Sequence, residues 1–361
     1  MRAFKYLSPL IIYAGALQAF TYKGLLCFVP LIYAWVVIPL LELFVKPDPS
    51  NMEVAEEELA KKDRVYDYIL YLIVITQVPT LFYFLYSMQD QSLTIWDKIG
   101  RTGAMGLLCG TFGINVGHEL GHRVKKFEQF LAKVSLLTSL YMHFFIEHNR
   151  GHHKNVATPK DPSSAKYGEP LYFFFFRTIV LSYVSAWKIA SKDMRNARRN
   201  PLSLHNEMLQ YHLIQLSFVS LIVVMFGWTI TLYFLIAAFM GILLLETVNY
   251  IEHYGLQRRE IGDGKYERAM PEHSWNSDHV IGRLMLFELS RHSDHHYVAS
   301  RKYQVLRHHD DSPQMPTGYP GMMILSTIPP AWFYVMNRRL KKLDEARSFH
   351  YQNSPVPQAE A

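Results

Sequence analysis

The sequence predicts an all-α integral membrane protein of six transmembrane helices with a histidine-rich cap on the cytosolic side. Three observations predict it: long apolar runs almost free of charge, an uneven spread of Lys and Arg among the connections, and tight groups of histidine beside the ends of the runs. Tyr68 to Met88 carries no charged residue, Trp228 to Val248 only Glu246, and Gly24 to Val45 only Glu42. A helix rises about 1.5 Å per residue, so roughly 20 residues cross a bilayer core about 30 Å thick. A soluble core helix of that length carries a polar face, which these runs lack.

Six spans are expected, at about 7–22, 24–45, 65–88, 95–117, 209–226 and 228–250, as three hairpins of a single domain covering 1–361. Between them the hairpin turns at Tyr22–Lys23, Ser87–Leu93 and Gly227 hold one cation, Lys23. The other connections carry Lys125, Lys126, Arg150, Lys154, Arg195, Arg198, Arg199, Arg258 and Arg259. Excess cation marks the cytoplasmic side. Both termini are therefore expected there, with a cap built from about 118–208 and 251–345. The apolar stretches 130–146 and 171–190 are each marginal for a span; an even number of extra crossings would preserve the charge pattern, and the preferred reading is helices lying against the membrane face or packing under the bundle. The polar, Pro-containing residues 351–361 read as a disordered tail. In span four, Gly103, Gly106, Gly110, Gly113, Gly117 and Gly121 recur at spacings of three and four. That places them on one helical stripe and puts this helix at the centre of the bundle, where backbones approach closely.

Composition narrows the classes. Cys27 and Cys109 are the only cysteines, both in apolar runs, so the chain has no CxxC and no iron–sulfur centre of its own. Arg2 and Lys5 precede an apolar stretch with no small-x-small site, which does not read as a cleavable signal. A net charge of +6, scattered along 361 residues, suits a face near anionic lipid or an acidic protein partner and argues against nucleic acid.

The chain has 17 histidines, and nine fall in four groups. His118 and His122 lie in HELGHR; His148, His152 and His153 in EHNRGHH; His253 in NYIEHYG; His292, His295 and His296 in RHSDHH. Residues four apart on a helix share a face, so His118 and His122 can grip one metal from the end of span four. In EHNRGHH, His148 and His152 share a face and His153 is turned by about 100°, an arrangement that reaches two metals from one helix. His253 follows Glu246 and Asn249 on one stripe of span six. Nine neutral nitrogen donors suit two transition metals and are too many for one. His143, His205, His212, His273, His279, His308, His309 and His350 read as ordinary polar residues; His273 and His279, between two groups, are the hardest to set aside. His118-Glu119-Leu120-Gly121-His122 also fits the HExxH of zinc proteases. A catalytic zinc takes three protein ligands and a water, which would leave EHNRGHH and RHSDHH without a role.

HELGHR, EHNRGHHKNVATPKDPSSA, NYIEHYGL and LSRHSDHHYVASRKYQ together closely resemble the membrane alkane 1-monooxygenases, within the wider class of membrane fatty-acid desaturases and hydroxylases. The resemblance runs from the second span to about Gln304. It implies a di-iron cap in which all nine histidines are ligands, with O2 as co-substrate and a linear, medium-chain alkane hydroxylated at its terminal methyl. It implies electrons from rubredoxin, itself reduced by a reductase, and a place in the bacterial inner membrane with termini and metals on the cytoplasmic side. Arg195, Arg198, Arg199, Arg301 and Lys302 are candidate docking residues for an acidic rubredoxin; the positive-inside rule explains the same cations equally well. Trp35 aligns with the position where a bulky residue limits chain length in that family, and Thr111, Ile114 and Asn115 are further channel candidates.

Neutral ligands leave two metals with excess positive charge, so nearby side chains should offset it and orient the imidazoles. Candidates are Glu119, Glu147, Glu246, Asn249, Glu252 and Asp294. A charge inside a span costs about 2.5–3.5 kcal/mol on insertion scales, so Glu246 is expected to face the interior and a partner. A fatty-acyl desaturase or hydroxylase would use the same metals on an acyl thioester. A metal transporter would spread its histidines across the membrane depth, whereas these gather at one side.

Overall fold

The structure is a computed structural model and describes residues 2–353, with side chains to Glu345. The expected tail and the side chain of His350 lie outside these residues, except that the backbone of 351–353 continues the last helix. After a short turn the helices run α1 (Leu10–Thr21), α2 (Gly24–Phe44), α3 (Val54–Lys62), α4 (Val65–Ser87), α5 (Ile95 to Gly121), α6 (Lys126–Leu137), α7 (Phe144 to Asn155), α8 (Leu171–Asn196), α9 (Glu207–Phe226) and α10 (Trp228–His253). A two-stranded antiparallel hairpin follows, β1 (Glu260–Gly262) with β2 (Lys265–Tyr266). Then come α11 (Val280–Met285), α12 (His292–Tyr297), α13 (Tyr319–Ser326) and α14 (Pro329–Asn353). The hairpin and a single parallel bridge between Asn276 and Gln314 are the departures from an all-α chain among the described residues.

Five helices, α2, α4, α8, α9 and α10, are long and apolar enough to cross a membrane. Four of them coincide with expected spans. The expected span at 7–22 is cut short, because Pro9 stands at the N-terminus of α1 and leaves it 12 residues. The expected span at 95–117 lies in α5, whose first turns carry Asp97, Lys98 and Arg101, and it is not among the five. The stretch at 171–190, read as a helix against the membrane face, is part of α8, which has the length and apolarity of a span. Its character is mixed. Phe174, Thr178, Ser182, Ala186 and Ala190 form a buried stripe, while Phe173, Phe176, Val180 and Leu181 face outward. The expected helix at 130–146 is broken: α6 stops at Leu137, and the chain turns with Leu140 in the left-handed region (φ 53°).

The outward faces of α2, α9 and α10 expose Leu40, Leu43, Leu216, Val224, Leu232 and Phe239, an apolar belt suited to lipid. At the end away from the histidines, buried Arg101 donates to the carbonyls of Ala19, Ser87 and Tyr22, pinning α5 to the ends of α1 and α4. Asp97 caps α5 together with Thr94 and also accepts from the N–H of Gly24.

The glycines bring α5 against three neighbours rather than one. A Cβ at Gly103 would meet Leu31 of α2 at 2.7 Å; Cβ atoms at Gly106 and Gly110 would meet Met240 and Leu244 of α10; one at Gly117 would meet Leu136 of α6 at 2.8 Å. Beyond Gly110 the stripe expected from spacing is rotated further, because α5 contains a π turn over Cys109–Ile114, closed by the N–H of Asn115 on the carbonyl of Gly110. An inserted π turn carries the residues beyond it onto a new face.

Candidate metal centre

Four elements deliver the nine histidines to one place. α5 ends with His118 and His122, α7 carries His148, His152 and His153, α10 ends on His253, and α12 carries His292, His295 and His296. Their ligand atoms form two groups, each with all atoms within 4.8 Å of one another: His118, His122, His148, His153 and His295 in one, and His152, His253, His292 and His296 in the other. The centres abut, with the rings of His153 and His296 4.5 Å apart.

Within each group the rings face one another through Nε2. In the five-histidine centre, His118 to His295 is 2.9 Å, His148 to His153 3.0 Å, His295 to His153 3.1 Å and His148 to His122 3.2 Å. In the four-histidine centre, His296 to His292 is 2.9 Å, and His152 to His296 and His292 to His253 are each 3.2 Å. Two facing nitrogens can share only one proton, so a ring of them leaves lone pairs that a cation would satisfy. Burial, reinforced by neighbouring rings, holds His118, His122, His148, His153, His292 and His296 well below the ordinary imidazole range. Burial brings His295 down to about 3. The neutral imidazole these environments impose is the metal-ligating form. The donor set fits two borderline transition metals, one per group.

The partition within EHNRGHH differs from the spacing rule. His148 and His153, five apart, serve one centre, and His152 serves the other. The cause is a π turn over His148–His152, in which the N–H of His153 donates to the carbonyl of His148. An i to i+5 bond brings residues five apart together.

The carboxylates divide by what they touch. Glu252 reaches the site: its Oε2 lies 3.1 Å from His292 Nε2, and its Oε1 accepts from the Tyr319 hydroxyl at 2.6 Å. Glu246 faces the interior, accepting from Tyr141, Thr178 and Asn249, so Asn249 acts on Glu246 rather than on a ring. Glu147 is buried beside Gly151; burial, then the charge of Asp161, pushes its carboxyl up to about 8. Asp294 turns away to Arg301, His309 and the N–H of Arg307. Glu119 turns away as well, accepting from Arg123 at 2.7 Å and from the N–H of Tyr303 at 3.2 Å. That is not the placement of a zinc-protease base, and His118 and His122 sit among three further rings.

Sequence reasoning missed Asp161. Its Oδ2 lies 2.9 Å from His152 Nδ1, and the carboxylate also accepts from Ser164 Oγ and the N–H of Ser163. Burial opposes the charge on Asp161, yet His152 and these donors hold its carboxyl below the usual range. Burial likewise opposes protonation of His152, but Asp161 outweighs it and raises that ring. The only signal was an aspartate in the Asp-Pro-Ser-Ser turn nine residues after His152. His253 Nδ1 has a weaker partner, Ser274 Oγ at 3.5 Å. His273, read as an ordinary residue, sits 3.3 Å from Glu267 and 3.5 Å from Glu272, a smaller group that could hold a cation. His279 bonds Ser277, while His308 and His309 bond Asp278 and Asp294.

An apolar cavity lies between α2, α5, α10 and α13. Its lining includes Trp35, Ile38, Leu107, Leu244 and Met285, and its only polar side chains are Thr111 and Asn115. Asn115, Leu245, Val248 and Leu289 also line a smaller cavity bounded by His118, His148 and His292, so the two share a wall. The Asn115 amide is engaged, donating to the carbonyl of Leu286 at 3.0 Å. Trp35 stands in a third π turn, Tyr33–Val37. Ile114 does not line the cavity; it packs with Leu136, Tyr141 and Phe144 on the opposite side of α5. Of the basic candidates, Arg301 is paired with Asp294 and Lys302 with Asp67, while Arg195, Arg198 and Arg199 are exposed at the end of α8 and beyond it.

Spanning-length helices closing on two all-histidine clusters define a membrane-bound, non-haem metalloenzyme, and residues 102–326 match the fatty acid desaturase family. The chain is 38% identical over 312 residues to alkane 1-monooxygenase 2 of Alcanivorax borkumensis, covering 86% of this chain and 82% of that one. It is 39% identical over 312 residues to alkane 1-monooxygenase 2 of Pseudomonas aeruginosa, covering 84% and 81%. It is 27% identical over 243 residues to the hydroxylase component of the xylene/toluene monooxygenase of Pseudomonas putida, covering 67% and 64%. The chain belongs to the alkane 1-monooxygenase family.

Proposed function

We propose that this protein is a di-iron monooxygenase that hydroxylates the terminal methyl of medium-chain alkanes, using O2 and electrons from rubredoxin. One observation carries the reading: a cavity with no charged lining residue shares its wall with a pair of all-histidine clusters. An alkane offers no hydrogen-bonding group, so only shape and dispersion can select it, and such a cavity supplies both. His118, His122, His148, His153 and His295 would hold one iron, and His152, His253, His292 and His296 the other. When bound, the iron pair supplies the oxidising power for a strong C–H bond. The chain's own residues do the rest. Leu245, Val248 and Leu289 form the throat that keeps water from the chain end. The tied amide of Asn115 presents no free polar group there. Asp161 fixes the His152 ring, and Glu252 sets a carboxyl beside His292.

The excess of Lys and Arg in the connections on the histidine side supports a site facing the cytoplasm from the inner membrane. On this reading the whole chain is a single hydroxylase domain.

Metal analysis joined to turnover of octane with NADH, reductase and rubredoxin tests the proposal. Two irons per chain and 1-octanol are expected. Turnover of an acyl-CoA and none of octane would move the protein to the desaturase reading.

A further inference from the structure

We infer that electrons reach the five-histidine centre through a basic surface around His122 and His153, and that the partner docking there is a small acidic one-electron carrier. The inference rests on the monooxygenase reading and adds the place where the carrier binds.

Of the nine histidines, seven are buried and two, His122 and His153, are only partly buried. Both belong to the five-histidine centre, and their rings are 4.5 Å apart. One edge of that centre therefore faces outward, while all four rings of the other are enclosed. An electron passing from a docked carrier crosses least protein by way of that edge.

Within residues 118–161, which carry five of the nine histidines, every exposed charge is a cation. Residues 118–161 contain four carboxylates, Glu119, Glu128, Glu147 and Asp161, and all four are buried. The same stretch exposes Lys125, Lys126, Arg150, Lys154 and Lys160. Arg150 is neutralised by Asp193 and Glu207, and Lys160 is held by the carbonyl of Gly264. Lys125, Lys126 and Lys154 make no ion pair among the described residues; Lys154 directly follows His153, and Lys125 and Lys126 stand three and four residues beyond His122. Val124, 90% exposed, supplies an apolar contact among them. A small apolar contact rimmed by unpaired charge fits a transient complex steered by electrostatics. Arg195, Arg198 and Arg199 are also exposed, but they adjoin no ligand in the chain.

Each docking oxidises one carrier by one electron and reduces the centre by one. Two dockings supply the two electrons that, with two protons, turn an alkane and O2 into an alkanol and water.

The test compares K125E/K126E/K154E with R195E/R198E/R199E, both full-length and iron-loaded, with rubredoxin as the probe. Rubredoxin binding is measured directly at low and high salt, alongside KM and kcat for rubredoxin during octane turnover. The lysine variant should bind about tenfold or more weakly, lose most of its salt dependence, and raise KM far more than it lowers kcat. Unchanged binding by the lysine variant, or weakening only in the arginine variant, overturns the inference, as does an unaltered protein that fails to bind rubredoxin. Unaltered protein that binds rubredoxin salt-dependently at these lysines but makes no 1-octanol upholds the docking surface and overturns the catalytic reading instead.

Discussion

His148 and His153 stand five residues apart, yet their Nε2 atoms face each other at 3.0 Å, because the N–H of His153 closes a π turn on the carbonyl of His148. His152, inside that turn, points to the other centre. The partition predicts how metal is lost. Replacing His148 and His153 by Ala strips two donors from one centre and none from the other. Replacing His148 and His152 takes one from each. After dialysis against a chelator, the first double variant should keep about one metal per chain, and the second should hold both metals weakly. Equal loss from the two variants would show that the centres are not divided in this way.

Asp161 accepts from Nδ1 of His152 while Nε2 faces the four-histidine centre. A carboxylate behind a ligating imidazole fixes its tautomer and raises its basicity. Asp161→Ala is expected to weaken metal binding or activity by about 10–100-fold. The loss should appear in metal retention with KM for octane little moved, because Asp161 does not line the cavity. A variant that retains both metals at the unaltered affinity would remove the assignment.

Much of this site was legible in the chain, and the rest was hidden for identifiable reasons. The nine histidines announced themselves by clustering, which survives any helical geometry. Their division between two centres did not, since spacing rules assume 3.6 residues per turn and EHNRGHH folds with a π turn. The π turn of α5 likewise carried Gly117 and Ile114 off the faces that spacing alone assigns them. Asp161 was hidden because its contact depends on how the loop after α7 returns to the site, which no local pattern encodes. α8 reads two ways because its buried stripe of small and polar residues suits an interfacial helix, while its length and apolar outward face are those of a span.

Acid should destabilise the metal-free protein. Burial holds seven of the rings, at His118, His122, His148, His153, His292, His295 and His296, below their ordinary range, His295 down to about 3. In the unfolded chain these rings take up protons near pH 6.5. Between that value and their folded values the unfolded state binds more protons, so stability falls as pH falls. His152 is raised and works in the opposite sense: its contribution is present below pH 6.5 and lost as pH climbs through its folded value. Glu119 and Glu147, whose carboxyls burial raises, act in the same sense as His152, and the seven lowered rings outnumber these three. Thermal unfolding of stripped protein in detergent should show a falling midpoint from pH 7 to pH 5, with the bound metals largely suppressing the fall. A midpoint that rises on acidification would mean that the buried rings accept protons in place.

Trp35 packs against both large hydrophobic clusters and lines the apolar cavity, which places it where a chain end would stop. It lies in the π turn of α2, whose fifth-residue bond runs from the N–H of Ile38 to the carbonyl of Tyr33. Removing the indole should lengthen the cavity without touching the histidines. Each further methylene of substrate buried there gains about 0.8 kcal/mol, so one added carbon changes binding by roughly fourfold where room exists. Trp35→Ser should therefore shift the preferred alkane to longer chains, and Trp35→Phe should fall between. Metal content and turnover of short alkanes serve as controls, since a merely destabilised variant would lose activity on every length alike. A ratio of hexadecane to octane turnover that does not move in Trp35→Ser, with both metals retained, would mean that chain length is set elsewhere in the cavity.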